Sequence, residues 1–375
     1  MKIAQVVVTF PPDIGGMGQV VCDEAAELTK RGHDVTVFCL GYSTNRYNDS
    51  TTPFKVVRLL PYLASGNAGF VPALYKKLNG FDLVHLHYPF YGGAEWVWWR
   101  KIFTKLKYVV TYHMDAAPTQ VHRWFIQKLY DWTIAKFILR SAEQVLFVDD
   151  EQSQKLALRK KLSPNKIVIL PNGIDVEIFK PQPVTVKDFT LDDLEGKPIF
   201  LFVGNLLPVK GLEVLLKAWS KLENKDAVLL VVGGGYAEER YRKLAGQLAL
   251  GNRVRWLGSC TDRKKLARYY SLATATIVPS FSESFSLVAA EAAACGSPVI
   301  GSDIHGMRAR VIPNKTGILF QPKNVASLTQ AIQQVLAMSE TERKQCGMQG
   351  RELIENNFSL PRHVDELEKV YKHLL

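Results

Sequence analysis

Short apolar runs alternate with amphipathic segments along the whole chain, and this alternation restricts the fold more than any other feature. The first-half runs are Ile3–Phe10, Asp34–Cys39, Lys55–Leu60, Leu83–His87, Tyr108–Tyr112, Val145–Val148 and Ile167–Leu170. The second-half runs are Pro198–Val203, Ala227–Val232, Val254–Leu257, Thr276–Pro279, Pro298–Gly301 and Gly317–Phe320. Apolar strands separated by helical segments imply parallel sheets covered on both faces by helices. Between Phe179 and Pro198, Pro181, Pro183 and a polar, acidic stretch break the pattern. The 375 residues suffice for two cores, so the expectation is an α/β chain of two Rossmann-like doubly wound domains. A last helix from about Pro361 has apolar residues at Val364, Leu367, Val370, Tyr371 and Leu374, a face that must dock.

In doubly wound sheets, ligands bind at the carboxyl ends of the strands. Those ends carry Gly15-Gly16-Met17-Gly18, His85 and His87, His113, and Gly204 to Gly211. Two such ends facing across a cleft suit a large bipartite ligand. Between Ser282 and Val299 stand two glutamates, Glu283 and Glu291, around a run of helix formers from Leu287 to Cys295. Ser284 or Ser286 is placed to cap that helix, and Gly296 with Pro298 to end it. Glu283 is then expected at the helix mouth and Glu291 about two turns inside, roughly 12 Å further along the axis. That is the span of a nucleotide-diphosphate sugar from sugar to ribose, with the free N–H groups of the helix start between them. Two glutamates flanking a helix also occur with no ligand at all.

The other motifs divide in the same way. The turn at Gly15–Gly18 lets a backbone approach a phosphate or simply joins a strand to a helix. It is not a dinucleotide fingerprint, because the spacing is GGxG and Val37-Phe38-Cys39-Leu40-Gly41 has no carboxylate. Lys210, beside Gly204 and Gly211, adds a cation at a helix start, where a diphosphate leaving group gains from it. His113 is a candidate sugar contact or a satisfied core histidine, and core histidine is the better reading of His85 and His87. No zinc-ligand spacing or DxD triplet is recognised. Asp149-Asp150-Glu151 is expected to begin a surface helix.

Net charge is +11, which favours an anionic partner. Between Glu95 and Arg140 the cations Arg100, Lys101, Lys105, Lys107, Arg123, Lys128, Lys136 and Arg140 interleave with Trp96, Trp98, Trp99, Phe103, Trp124, Phe125, Tyr130, Trp132 and Phe137. Residues 94–140 therefore suit peripheral contact with an anionic membrane, and no nucleic-acid motif accompanies them. Trp96, Trp99 and Phe103 at helical spacing are expected to pack on a sheet, leaving Trp98 beside Lys101 and Lys105. Five scattered cysteines and a short apolar N-terminal run point to a cytoplasmic protein, with the membrane reached from that side.

In family terms, the sequence resembles the GT-B glycosyltransferases of family 4, retaining enzymes that use nucleotide-activated sugars. The resemblance rests on Gly15–Gly18, Asp82-Leu83-Val84-His85-Leu86-His87, Thr111-Tyr112-His113, Leu170-Pro171-Asn172-Gly173-Ile174-Asp175, Gly204–Gly211, Val231-Val232-Gly233-Gly234-Gly235, Val254-Arg255-Trp256-Leu257-Gly258 and the E-x7-E segment Glu283–Glu291. It implies an acceptor domain at residues 1–178, a nucleotide-sugar domain at 179–358, and a helix at 359–375 that crosses back. It implies that Glu291 binds the ribose and Glu283 the donor sugar, with Ser284 beside it. Backbone N–H groups of Phe285, Ser286 and Leu287 would serve sugar and diphosphate, and Lys210 the departing diphosphate. Gly15 and Gly16 approach the diphosphate, Gly204 and Asn205 line the donor loop, and His113 contacts the sugar at the reacting centre. The base would lie near Arg255, Trp256 and Leu257.

No metal or other cofactor is implied. The implied reaction is transfer of a hexosyl group to a glycan or lipid-linked acceptor, in cell-envelope or polysaccharide biosynthesis. With no carboxylate pair suited to double displacement, front-face departure and attack is the favoured mechanism. Three departures bear on donor choice and rate. Asn205 stands where arginine is common, Ser284 and Ser286 stand where glycine is frequent, and Ser302–Arg310 lacks the usual Pro-Glu. Arg308 and Arg310 are the candidates to supply the missing cation. A non-catalytic GT-B module that senses nucleotide sugar is the alternative, and the absent fingerprint weighs against a nicotinamide dehydrogenase.

Overall fold

The computed structural model describes residues 1–13, 15–41, 49–65, 68–113, 129–156 and 159–375. The chain divides into two compact units, Met1–Gly173 with Leu360–Leu375, and Ile174–Ser359. The boundary expected after residue 178 falls at Gly173, because Ile174 N donates to Phe358 O at 2.8 Å and Ile174 bridges Ser359.

Unit 1 holds a parallel sheet of β1 (Lys2–Val6), β2 (Asp34–Leu40), β3 (Lys55–Leu59), β4 (Leu83–Tyr88), β5 (Lys107–Tyr112), β6 (Gln144–Phe147) and β7 (Ile167–Ile169), in the order β3-β2-β1-β4-β5-β6-β7. β1 ends at Val6, and the first apolar run keeps backbone hydrogen bonds to β2 only as far as Val8, short of Pro11 and Pro12. Helix α1 (Gly16–Lys30) and helix α2 (Ala94–Phe103) cover this sheet.

Unit 2 holds β8 (Ile199–Val203), β9 (Val228–Val232), β10 (Val254–Gly258), β11 (Ala275–Val278), β12 (Val299–Ser302) and β13 (Gly317–Phe320). Their order is β10-β9-β8-β11-β12-β13, with every pairing parallel. Both sheets reverse strand order beside their first strand, which places a ligand-binding crevice at that carboxyl edge. The expected linker is instead part of unit 2: Phe189 stacks on Tyr269 with centroids 4.3 Å apart, and Arg268 pairs with Asp188 at 2.7 Å. Polar composition marks exposure there, not detachment.

The final helix, α3 here by its role (Leu360–Leu374), returns to unit 1. Its Leu360, Val364, Leu367 and Tyr371 join the core of Val21, Ala25 and Leu28 on α1. Arg31 to Asp365 at 2.6 Å and His33 to Glu368 at 2.8 Å fasten its outer side. An acidic helix begins at Asp150 as expected.

Candidate active site

In unit 2, β8 runs out into Gly204 and a turn at Pro208–Lys210, while its neighbour β11 runs out into Pro279 and Ser280. Phe281 N donates to Val209 O at 2.8 Å, which ties the two loops together. Gly211 adopts φ +72°, and a Cβ there would lie 1.9 Å from Pro279 O. Only glycine satisfies both conditions, so the close approach that positions Lys210 is written into that residue. Lys210 Nζ and Ser280 Oγ both donate to Oε1 of Glu283, each at 2.7 Å.

The helix after Glu283 runs from Leu287 to Ala294. The expected mouth at Glu283 is therefore four residues early, and Glu291 lies just over one turn inside. The start at Leu287 is as expected, and of the two candidate caps Ser286 is the N-cap, in the left-handed region at φ +63°, ψ +75°, its hydroxyl accepting from Ala289 N at 3.4 Å. A left-handed residue with a Cβ is strained by about 1–2 kcal/mol, which explains why glycine suits this place. Ser286→Gly is expected to stabilise unit 2 by about 0.5–1 kcal/mol, since glycine also caps within a few tenths of serine. Urea unfolding checks this, and a loss of stability would mean that the capping bond outweighs the strain.

Glu291 accepts from Tyr270 Oη at 3.0 Å. Burial, reinforced by the Glu291 carboxylate, holds the Tyr270 phenol well above its ordinary pKa, so it remains a donor. Phe285 points into the core, edge-on to Phe358 at 5.8 Å, which leaves its backbone for a ligand. A Cβ on Gly306 would lie 2.2 Å from Glu283 O, so the segment lacking Pro-Glu packs directly under this turn.

In unit 1, α1 opens at Gly16 with Gly15 as an N-cap that offers no side-chain acceptor. A Cβ on Gly18 would lie 2.5 Å from Thr9 O, so this glycine serves the tight strand-to-helix turn. His113 follows β5, and its Nε2 hydrogen-bonds to His87 Nδ1 at 2.8 Å. His87 Nε2 meets Gln5 Oε1 at 2.5 Å, and His85 meets Tyr371 Oη at 2.6 Å and Thr111 Oγ1 at 2.7 Å. Below them lies buried Glu24, 3.0 Å from His363 Nε2.

Glu24, His85 and His87 bring potential metal-ligating atoms within 4.8 Å of one another, a grouping the sequence reading missed. The nitrogens nearest Glu24, at 3.8 Å on His85 and 3.7 Å on His87, already hydrogen-bond to Tyr371 and Gln5.

Burial pushes His85 and His113 down to about 4, against the partial opposition of Glu24, and holds His87 well below its ordinary range. Burial raises the Glu24 pKa, but the His363 hydrogen bond and the charges of His363, His85 and His113 outweigh it and leave the pKa lowered. The unfolded chain thus binds protons at pH values where the folded one does not. Stability is expected to be full above pH about 6.5 and to fall as the pH drops toward about 4. Glu24 adds its own loss as the pH falls through its lowered folded pKa. Urea midpoints between pH 7.5 and 4.5 test this; a flat profile would contradict it.

Residues 14–178 match the family described as Glycosyltransferase Family 4, and residues 186–353 the family described as Glycosyl transferases group 1. The chain belongs to the GT-B glycosyltransferases of family 4. It is 27% identical to the D-inositol 3-phosphate glycosyltransferase of Corynebacterium diphtheriae, over 99% of this chain and 94% of that one. The corresponding Mycobacterium leprae protein is 29% identical, over 87% and 81% of the two chains. Among solved structures, sucrose-phosphate synthase from Thermosynechococcus elongatus superposes with a TM-score of 0.84 at 26% identity, covering 100% and 99% of the chains. Anabaena HepE, solved in complex with UDP-glucose, shares the fold at TM-score 0.82 and 17% identity, with both chains covered fully.

Several other residues singled out in this glycosyltransferase have partners of their own within unit 2. Arg255 forms an ion pair with Asp193, so its side chain is engaged on unit 2. Trp256 packs against the unit 2 core with the Arg242 guanidinium 4.9 Å from its ring. Asn205 is exposed. Arg310 does not replace the missing cation: it is 1% exposed, with its guanidinium 4.0 Å from the Phe285 ring and 5.0 Å from that of Phe358. Arg308 pairs with Asp303 at 2.7 Å.

The basic aromatic region is also rearranged. Trp96 and Trp98 pack half-buried on the unit 1 core, and Trp98 Nε1 donates to Ser141 Oγ at 3.2 Å. Lys101 is paired with Glu143. Trp99 and Phe103, expected to pack inward, are 47% and 64% exposed, beside exposed Ile102. The packing stripe runs through Ala94 and Val97, so the helix faces the sheet about one residue away from the expected register. Arg123, Trp124, Phe125 and Lys128 lie outside the described residues.

Proposed function

We propose that the chain is a retaining, metal-independent hexosyltransferase that takes its sugar from a nucleotide-diphosphate donor held by unit 2. The observation that carries this reading is the convergence of Lys210 and Ser280 on one oxygen of Glu283, at the carboxyl edge of the sheet. Glu283 is oriented to accept from sugar hydroxyls, and the Lys210 ammonium neutralises the departing diphosphate together with the N–H groups at Phe285, Ser286 and Leu287. Glu291, held by Tyr270, takes the ribose hydroxyls. The backbone at Arg255–Leu257 serves the base, and Ser284 with the Gly204–Asn205 loop flanks the donor. In unit 1, Gly15 and Gly16 approach the diphosphate and His113 meets the sugar. Catalysis then rests on positioning and charge stabilisation with no covalent nucleophile. The names of the inositol phosphate glycosyltransferases and the UDP-glucose complex of HepE support this class of donor and reaction.

The acceptor in this reading is a glycan or lipid-linked molecule of envelope or polysaccharide synthesis, reached at a cytoplasmic membrane face. No helix among the described residues is long and apolar enough to cross a membrane. Support for peripheral contact comes from exposed Trp99, Ile102, Phe103, Trp132 and Phe137, with Lys136 Nζ 5.2 Å from the Trp132 ring and 4.9 Å from that of Phe137. Replacing Trp99 and Phe103 together by serine is expected to abolish flotation with phosphatidylglycerol liposomes while sparing donor binding. Flotation equal to that of the wild type would remove the membrane contact.

The donor site is tested by a thermal-shift panel of UDP, GDP, ADP and their sugar conjugates, with and without EDTA. A ligand at 100 times its Kd adds about 2.7 kcal/mol to native stability. One nucleotide series is expected to raise the Tm of the wild type, EDTA present or not, and to leave Glu291→Ala unshifted. Absence of a shift with every nucleotide would overturn the reading.

A further inference from the structure

His113 is linked to a buried hydrogen-bond chain whose direction can be read from the atoms that cannot donate. Gln5 Oε1, an amide oxygen, accepts only, and it lies 2.5 Å from His87 Nε2. Glu24 Oε2, on a carboxylate that is nearly fully buried, lies 3.7 Å from the same nitrogen. Two acceptors therefore face Nε2 of His87, which must carry the ring proton. The pKa of His87 is held low by burial, so the ring is neutral and Nδ1 keeps its lone pair. Nδ1 then accepts from His113 Nε2, its hydrogen-bond partner among the described residues, at 2.8 Å. A neutral His113 that donates from Nε2 has a bare Nδ1, and among the described residues that atom has no hydrogen-bond partner.

We propose that Gln5 and Glu24 are positioning residues which, through His87, lock His113 in its Nε2–H tautomer and make its Nδ1 a hydrogen-bond acceptor. The consequence for specificity rests on the sugar-contact reading of His113: the donor sugar must present a hydroxyl proton to Nδ1. A deoxy or O-methylated sugar lacks that proton and is discriminated against. A histidine in the other tautomer would instead offer a donor and tolerate an ether or carbonyl oxygen at the same point. Which tautomer is present is therefore a property of the substrate class, and residues on β1 and α1 decide it.

Long-range proton–nitrogen correlation spectra of the full chain labelled with 15N-histidine report the tautomer directly, with His113 assigned through His113→Asn. The wild type is expected to show a protonated Nε2 and an unprotonated Nδ1 for His113 at neutral pH. In Gln5→Met, one of the two acceptors is lost, and His87 and His113 are expected to shift together toward a mixture of tautomers. A protonated Nδ1 on wild-type His113, or an imidazolium, would overturn the proposal even if the variant failed to fold. The measurement needs no sugar, so its outcome is separate from that of the donor panel: an Nε2–H ring in a chain that binds no nucleotide would uphold the relay and reject the transferase reading.

Discussion

Lys210→Ala is expected to lower kcat by about 10²–10³-fold, the loss found when one preorganised donor is taken from a developing negative charge. The diphosphate gains charge as the sugar leaves, so the ammonium helps the transition state more than the bound donor. kcat and kcat/KM should therefore fall together, with donor KM changed little. Stability should change by only about 0–1 kcal/mol, because the ion pair with Glu283 is partly solvated, the lysine side chain being 28% exposed. That contrast separates a catalytic loss from a folding defect. Unchanged kcat in the alanine variant would remove Lys210 from the mechanism.

Deleting residues 360–375 is expected to leave unit 1 without a cooperative fold. Leu360, Val364, Leu367 and Tyr371 are buried against α1 and the sheet, and at about 1.5–3 kcal/mol for each buried side chain they account for roughly 6–12 kcal/mol. That is comparable to the whole net stability of a domain, about 5–15 kcal/mol. The deletion also strips Glu24 of His363 and His85 of Tyr371. A single variant isolates the electrostatic part: His363→Leu leaves the Glu24 carboxylate buried without its closest partner and should cost about 3–5 kcal/mol. Circular dichroism melts and limited proteolysis read both. A truncated chain that melts cooperatively at the wild-type temperature would show that the helix is an appendage.

The apolar runs were sufficient to place the strands of both sheets within a residue or so at most ends, because a parallel strand covered on both faces is apolar at most of its positions. Ile3–Phe10 was too long for the opposite reason: Val7, Val8 and Phe10 are as buried as β1, but the hydrogen bonds to β2 end at Val8. The amphipathic helix Ala94–Phe103 was harder. Three tryptophans and a phenylalanine on ten residues leave more apolar faces than one sheet can cover, so sequence periodicity could not choose between Trp98 and Trp99. At the candidate site Lys210, Glu283 and Glu291 were visible as charged residues at strand ends and helix starts. Ser280 and Tyr270 were not, since a serine after a strand and a tyrosine within a helix carry no signal of their own. Glu24 could have been found: it falls among Val20, Val21, Ala25 and Leu28, on the apolar stripe of its helix.

Composition, spacing and order along the chain thus determined two doubly wound units, their family, and the charged residues of unit 2. The tertiary structure alone decided which groups meet. It joined Lys210 to Glu283 across 73 residues and Glu24 to His363 across 339. It also joined the core histidine His87 to Gln5 and His113 in one buried hydrogen-bond chain, beside His85 on Tyr371 and Thr111. Periodicity is local and is written in neighbouring residues, whereas a hydrogen bond has a direction and a length of about 3 Å, and no spacing in sequence encodes either.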